Sequence, residues 1–378
     1  MAITVLAYLM MGFFALMLCI KTFDPLSNAL MSFSFTDIYY QILSQTAVPD
    51  TSHVVTIVDM TKLYRRGDIA QLLEEIEKGR PRVVGVDVVF DVEKDDFEGN
   101  DSLIHVAQTY DNMVFSVKFL EFDEKQNQYT KEIHSFFTQY VDVEEGFCNV
   151  PRSGQYDATK RTLLRRVRSL GKDHPSLAVK VVQDYIGRPV DSDGEDQLMV
   201  NFSPKKFHVL TPEEVREHPE LIEDRIVMVG AMYEDTDYHW TPAGRIPGVE
   251  LLAYGIQTML EKKEVIQLPS FLTYLLSFAI SLLYCYFSSY YKRVTANSSN
   301  MFVRFVIGSS YVLSVITFLF TSIVVFITFL VFAITDITIN LAWAISSMAF
   351  MGTSTNMYKA LRDYVRNRNM QMQTITKE

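Results

Sequence analysis

Apolar residues are distributed along this chain in two different ways. In four stretches, 1–20, 265–291, 305–335 and 337–358, no Asp, Glu, Lys or Arg occurs, and together they make up 100 residues. About 20 apolar residues span a bilayer as a helix. The pattern therefore predicts membrane helices at 3–20 and at roughly 271–290. The stretch 301–358 is too long for one helix and gives two, at roughly 303–325 and 335–357, with Asp336 marking the turn between them. A single carboxylate at that depth reads as an interfacial turn residue rather than a buried functional group.

Elsewhere the apolar runs are short and regularly interrupted. Residues 54–58 are a β-branched run ending at Asp59, and Ile69, Leu72, Leu73 and Ile76 share one face of a helix over 68–78 that Gly79 stops. A buried-type strand over 82–90, a helix over 101–110 and a strand over 113–119 follow. This β-α-β-α-β series predicts right-handed crossovers and a mainly parallel sheet. The stretch 121–128 is polar and reads as an exposed hairpin or loop. Residues 147–150 and 163–170 read as short strands, and 175–186 as an amphipathic helix with Leu177, Val181, Val182 and Tyr185 turned inward. Strands at 197–202 and 225–230, a short helix at 212–218 capped by Thr211, and a helix over 247–262 complete the unit. The predicted class is α/β, a mainly parallel sheet with helices on both faces, joined to an α-helical membrane domain of four helices.

Charge divides the chain at the same places. Residues 21–268 hold 27 basic and 42 acidic side chains, whereas the remainder holds 8 and 3. Lys292, Arg293 and Arg304 lie between the second and third apolar runs, and Lys359, Arg362, Arg366, Arg368 and Lys377 follow the last one. Basic loops stay on the cytoplasmic side. The expected division is an N-terminal anchor helix (1–20), an extracytoplasmic domain (21–268), three transmembrane helices (269–358) and a short basic cytoplasmic tail (359–378). The lack of a basic segment before residue 3 favours a retained anchor over a cleaved signal peptide. An acidic outer domain is a poor nucleic-acid binder. Three cysteines, two of them (Cys19 and Cys285) in apolar runs, do not make a disulfide framework, and Cys148 reads as a small buried residue with no nearby partner.

A resemblance enters at particular residues. The series 54–59, then Ile69, Ala70, Leu72 and Leu73, then 83–87, is similar to the opening half of a CHASE-type sensory domain of the second class. The strand 225–231, the loop Asp237-Tyr238-His239-Trp240-Thr241-Pro242 and the Pro247-Gly248-Val249-Glu250 helix start resemble its closing half, and Pro175-Ser176-Leu177-Ala178 its middle helix. Before the first helix the family's Trp-Pro segment is replaced by Leu63-Tyr64-Arg65-Arg66, so only Arg66 and Ala70 carry over there. The resemblance covers about 30–265. It implies an extracytoplasmic sensory domain in a bacterial inner membrane, multi-pass, with the large domain in the periplasm. About 20 residues follow the last apolar run, too few for the kinase or cyclase module with which such domains are usually joined.

Candidate chemistry lies where an open parallel sheet binds ligands, beyond the carboxyl ends of its strands. Asp59, Asp87 and Asp91 fall at or near such ends, where an Asp also commonly caps the next turn. Glu234, Asp235, Asp237 and His239 cluster in one loop closed by Thr241 and Pro242, and the resemblance implies that Asp237, His239, Thr241 and Pro242 matter to the domain. Glu250 opens the following helix. Asp59, Asp87, Asp91, Asp237, His239, Thr241 and Glu250 are thus the candidate ligand-binding residues. Two ligand-type residues two apart fix no metal, and neither a phosphate-binding glycine loop nor a nucleophile elbow such as would surround Ser153, Ser176 or Ser203 is present. No metal, cofactor or enzymatic activity is therefore expected. Arg161, Arg165, Arg166 and Arg168 read as a solvated face or as an anion- or partner-binding one. Two functions remain: a receptor-like sensory protein that recognises a ligand or envelope partner and signals through a separate membrane or cytoplasmic protein, or a scaffolding membrane protein that forms homo-oligomers or binds other membrane proteins. The lipid bilayer is a partner in both.

Overall fold

The computed structural model describes residues 1–18, 34–150, 159–190, 196–234 and 237–375. Cys19, Ser153, Asp235 and Lys377, invoked above, fall outside these residues. The chain forms two compact units: residues 37–265, and residues 1–36 with 266–378.

Among the described residues the first unit is built on a nine-stranded sheet. Its centre is a parallel array ordered β10 (Lys205–Leu210), β1 (Asp50–Asp59), β11 (Ile226–Gly230), β2 (Val83–Val86), β3 (Met113–Asp123) and β5 (Glu144–Phe147). The second half of β3 leaves this array and pairs antiparallel with β4 (Gln128–Ile133), making the expected exposed hairpin. Two further strands, β7 (Arg166–Ser169) and β8 (Lys172–Pro175), extend from β4.

Alternation along the strands fills both faces. Val84 and Val86 of β2, with Val227 and Val229 of β11, join one core with Ile69, Leu72, Leu73 and Ile76 of α3 (Arg66–Lys78) and Leu103 and Val106 of α4 (Phe97–Thr109). Two helices, α5 (Leu177–Ile186) and α7 (Gly248–Glu261), pack on the other strand faces. Each such fully buried Leu or Ile stabilises the fold by about 1.5–3 kcal/mol. The predicted α/β class with helices on both faces is what forms.

Several boundaries move for local reasons. The strand expected over 82–90 ends at Val86, because β11 stops at Gly230 and offers no further partner. The run at 147–150 is shifted to β5, and the run at 163–170 is two strands, β6 (Thr162–Leu164) and β7, broken at Arg165. The short helix α6 (Glu214–Glu217) is held by a reciprocal capping box: Thr211 Oγ1 accepts from the Glu214 N–H at 3.4 Å, and Glu214 Oε2 accepts from the Thr211 N–H at 2.8 Å. Tyr185, expected inside, is half-buried with the Arg82 guanidinium 4.8 Å above its ring. Ahead of the sheet, α2 (Phe35–Thr46) places Tyr40 against Phe202.

The second unit contains α1 (Ala2–Leu18), α8 (Ser270–Ala296), α9 (Ser310–Thr335) and α10 (Ala342–Ile375). Their contacts run along small hydroxyl residues. Ser277, Ser281 and Ser347 are fully buried, Ser281 and Ser347 share a hydrogen bond of 2.5 Å, and the Tyr8 ring lies edge-on to Phe278. Among the described residues, two helices, α8 and α9, are by length and composition able to cross a membrane, where four spans were expected. The first has only 17 residues, and α10 is diluted by Ser346, Ser347, Gly352, Thr353, Ser354, Thr355 and Asn356. The third apolar helix also starts later than residue 303, because Ser309 caps it by accepting from the Val312 N–H. Asp336 is the turn expected: it adopts a left-handed conformation (φ 54°) after α9. Next to it, β15 (Ile337–Thr338) pairs with β14 (Ile266–Gln267), which brings the segment before α8 and the α9–α10 turn to one end of this unit.

Gly146 of β5 tests the packing of α5. A Cβ there would lie 2.6 Å from the Leu177 backbone nitrogen and 2.5 Å from its Cα. Backbone cannot yield as a side chain can, so Gly146→Ala should destabilise the protein by about 1–3 kcal/mol in chemical denaturation. An unchanged midpoint would show that α5 is free to shift off the sheet.

Candidate functional site

The strand order brings the loops after β1, β2 and β11 together, because β11 lies between the other two and all three run parallel. Asp59 ends β1 opposite Gly230. Its Oδ1 accepts from the backbone N–H of Thr61 at 2.9 Å and of Met232 at 3.1 Å, and the Thr61 hydroxyl accepts in turn from Met232 and Tyr233. Asp59 is thus a clamp between two loops, which is the turn-capping role open to an Asp at a strand end.

Asp87 follows β2, its N–H donating to the Val229 carbonyl at 2.8 Å. It keeps some solvent access but is enclosed by protein, and burial pushes its carboxyl up to about 7, with the charge of Asp237 adding to the rise. Ser116 of β3 lies 3.5 Å away and opposes that rise. Cys148, expected to have no partner, sits beside Asp87. Its thiol approaches the Val117 carbonyl at 3.7 Å, and burial together with the Asp87 charge pushes it up to about 12, so it stays protonated.

Asp237 enters from the loop after β11. Its carboxylate accepts from the Gly248 N–H, at the first residue of α7, where the helix dipole favours negative charge. A Cβ on Gly248 would come within 2.7 Å of Asp237 Oδ2, so glycine permits this approach. Burial nevertheless raises the Asp237 pKa, against the opposing pull of His239 and of the helix start. His239 Nε2 is 3.7 Å from Asp237 Oδ1. Burial, helped by Lys160 and opposed by Asp237, lowers the His239 pKa, which favours the neutral imidazole. Asp237 keeps 42% of its side-chain surface exposed, which leaves this group open to a ligand.

The structure therefore brings Asp87, Asp237 and His239 together and adds Ser116 and Cys148, which lie on β3 and just after β5. It does not bring in the other candidates. Asp91 is exposed in the loop after β2 and acts on the buried Arg66. Thr241 closes the hairpin of β12 (Tyr238–Thr241) and β13 (Gly244–Pro247), donating to the Gly244 carbonyl and accepting from the Ala243 N–H. Glu250 is half-buried on the first turn of α7, its pKa raised by burial alone. The arginine cluster is not one cationic face, because Arg161 pairs with Asp37 and Arg165 with Glu264. Among the described residues no group of three or more His, Cys, Asp or Glu is arranged to hold a metal. What the site offers is a protonatable carboxyl, a partly open carboxylate and a neutral imidazole.

A second polar cluster was not anticipated. His134, just past β4, contacts Glu145 of β5 at 2.6 Å and Glu132 at 3.0 Å, with His174 of β8 3.5 Å from Glu132. Although burial opposes it, these two carboxylates raise the His134 pKa. The only sequence signal is Glu132 and His134 two apart, hence on one face of a strand.

The sequence profile of the CHASE2 domain matches residues 5–287. Nothing among curated proteins or solved structures matches the chain.

Asp87 generates a pH prediction. A carboxyl with a raised native pKa holds its proton more tightly folded than unfolded. Stability is therefore greatest below about pH 4 in this respect and falls as pH rises toward 7. Asp87→Asn should flatten that fall and stabilise the protein at pH 8 by on the order of 2 kcal/mol, measured by denaturant unfolding at several pH values. Parallel pH profiles for the two proteins would show that Asp87 ionises normally.

Proposed function

The chain belongs to the CHASE2 domain family, whose domains are extracellular sensors, and from that premise we propose that it is a receptor-like membrane protein. Its domain recognises a ligand or envelope partner at the Asp87–Asp237–His239 group and signals through a separate protein. The observation that carries this reading is the seat of Asp237 on the first residue of α7. Neutralising or engaging that carboxylate changes its hold on the helix start. The far end of α7 is covalently followed, after residues 262–269, by the apolar α8. A shift or loosening of α7 is thus the form in which occupancy leaves the site.

In this reading α1 and α10 cross the bilayer together with α8 and α9, making four spans in a bacterial inner membrane with the domain in the periplasm. Support comes from the basic segments at 292–304 and 359–378, which belong on the cytoplasmic side. It also comes from the β14–β15 pairing, which puts the start of α8 and the α9–α10 turn at the same end.

Two measurements test this. In the nanodisc-embedded protein at pH 7.5, Asp237→Asn should raise amide exchange in the first turns of α7 at least about fivefold, and the change should continue past residue 262 into α8. A change confined to α7 would remove the relay. For topology, Glu124→Cys should react with a membrane-impermeant maleimide on intact spheroplasts and Asn300→Cys should not; the reverse pattern would invert the orientation.

A further inference from the structure

Around the same edge of the sheet, but outside the Asp87–Asp237–His239 group, the domain exposes large apolar side chains in a way that single surface residues do not explain. Tyr64, after β1, is 79% exposed; Val92 and Phe97, after β2, are 60% and 73% exposed; Tyr140, before β5, is 60% exposed. They are joined into one surface by contacts beneath them. Arg66 hydrogen-bonds the Val92 carbonyl and, at 2.5 Å, Asn100 Oδ1 of α4, and its guanidinium lies 4.5 Å from the centre of the Phe136 ring. The Phe136 N–H donates to the Phe90 carbonyl at 2.7 Å, and the Tyr140 hydroxyl donates to Glu93 at 2.7 Å. Arg66, Phe90, Phe136, Phe137 and Asn100 are all buried. The exposed residues therefore stand on a packed platform, and little ordering remains to be done when a partner arrives.

The charge on this surface selects the partner. Residues 91–98 carry Asp91, Glu93, Asp95, Asp96 and Glu98 against Lys94 alone, and all but Asp96 among these are exposed. Lys62 and Arg65 beside Tyr64 offset only part of that excess, and residues 21–268 are acidic in sum. A second copy of this domain would bring like charge against like charge, and anionic lipid would be repelled in the same way. Apolar rings ringed by carboxylates fit a chain that alternates apolar and cationic side chains.

We propose that this face, built on Tyr64, Val92, Phe97 and Tyr140 and edged by residues 91–98, docks a cationic amphipathic polypeptide. The proposal rests on the sensory reading only in naming the class of partner sensed. The docking surface itself uses none of Asp87, Asp237 or His239.

The test uses the full chain in nanodiscs of uncharged phosphatidylcholine and a fluorescent peptide of alternating lysine and leucine residues, read by anisotropy at physiological salt. The lysine peptide should bind, and the same peptide with glutamate for lysine should not. Phe97→Ser with Tyr140→Ser should weaken binding at least about tenfold, as should Asp91→Asn, Glu93→Gln and Asp95→Asn together. The equally charge-reducing set Glu121→Gln, Asp123→Asn and Glu124→Gln on the β3–β4 hairpin should leave it unchanged. Thermal melts check that each variant is folded. Any of three results would overturn the proposal: no binding of the lysine peptide, equal loss in the hairpin variant, or equal binding to empty nanodiscs. A shift of the wild-type protein from dimer to monomer on Phe97→Ser with Tyr140→Ser would assign the face to self-association instead. The exchange response of α7 to Asp237→Asn is independent of these outcomes, so failure here and failure of the sensory relay are told apart.

Discussion

The parallel pairing of β11 between β1 and β2 is the constraint on which the rest of the domain depends. Asp59 is opposite Gly230 and Val86 opposite Val229, so the three strands end within a residue of one another. Three loops that are far apart in sequence must then emerge side by side. The clamp from Asp59 to Met232, the meeting of Asp87 with Asp237, and the start of α7 over the edge of the sheet all follow from that alignment. A one-residue slip of β11 would invert its inward and outward side chains and dissolve the group.

Within the site, electrostatics sets the character of each residue more than its chemical type does. Asp59 and Asp87 both end strands. The former accepts several N–H and O–H donors and serves as a structural tie, whereas the latter has one weak partner and a charged neighbour and is pushed up to about 7. Asp237 differs again, since a helix start holds it on one side while solvent reaches the other. Burying a carboxylate without full compensation is costly. Part of the cost here falls on Asp237, which touches α7, whose chain continues toward the helical unit.

The helical unit shows a different economy of contact. Its buried positions are largely Ser, Thr, Ala and Met; the small ones allow close backbone approach, and the hydroxyls of Ser281, Thr328 and Ser354 donate to carbonyls one turn back. Those same residues lower the hydropathy of α10.

Short-range patterns in the sequence were enough to read the helix faces of α3 and α5, the buried runs of β1, β2 and β11, the cap at Thr211 and the turn at Asp336. Each is set by side chains within a few residues, and periodicity or capping chemistry reports it directly. They also marked Asp87, Asp237 and His239 as strand-end and loop residues. Whether those three meet, and that Asp91 and Thr241 stand apart from them, was decided only by tertiary structure, because adjacency there comes from the insertion of β11 across some 140 residues of chain. The burial of Arg66, the company of Cys148 and the His134 cluster are likewise products of strand order. Local propensity determines which segments become strands and helices, but desolvation and charge neighbours exist only once those segments are packed, and they are what turn similar residues into different chemistry.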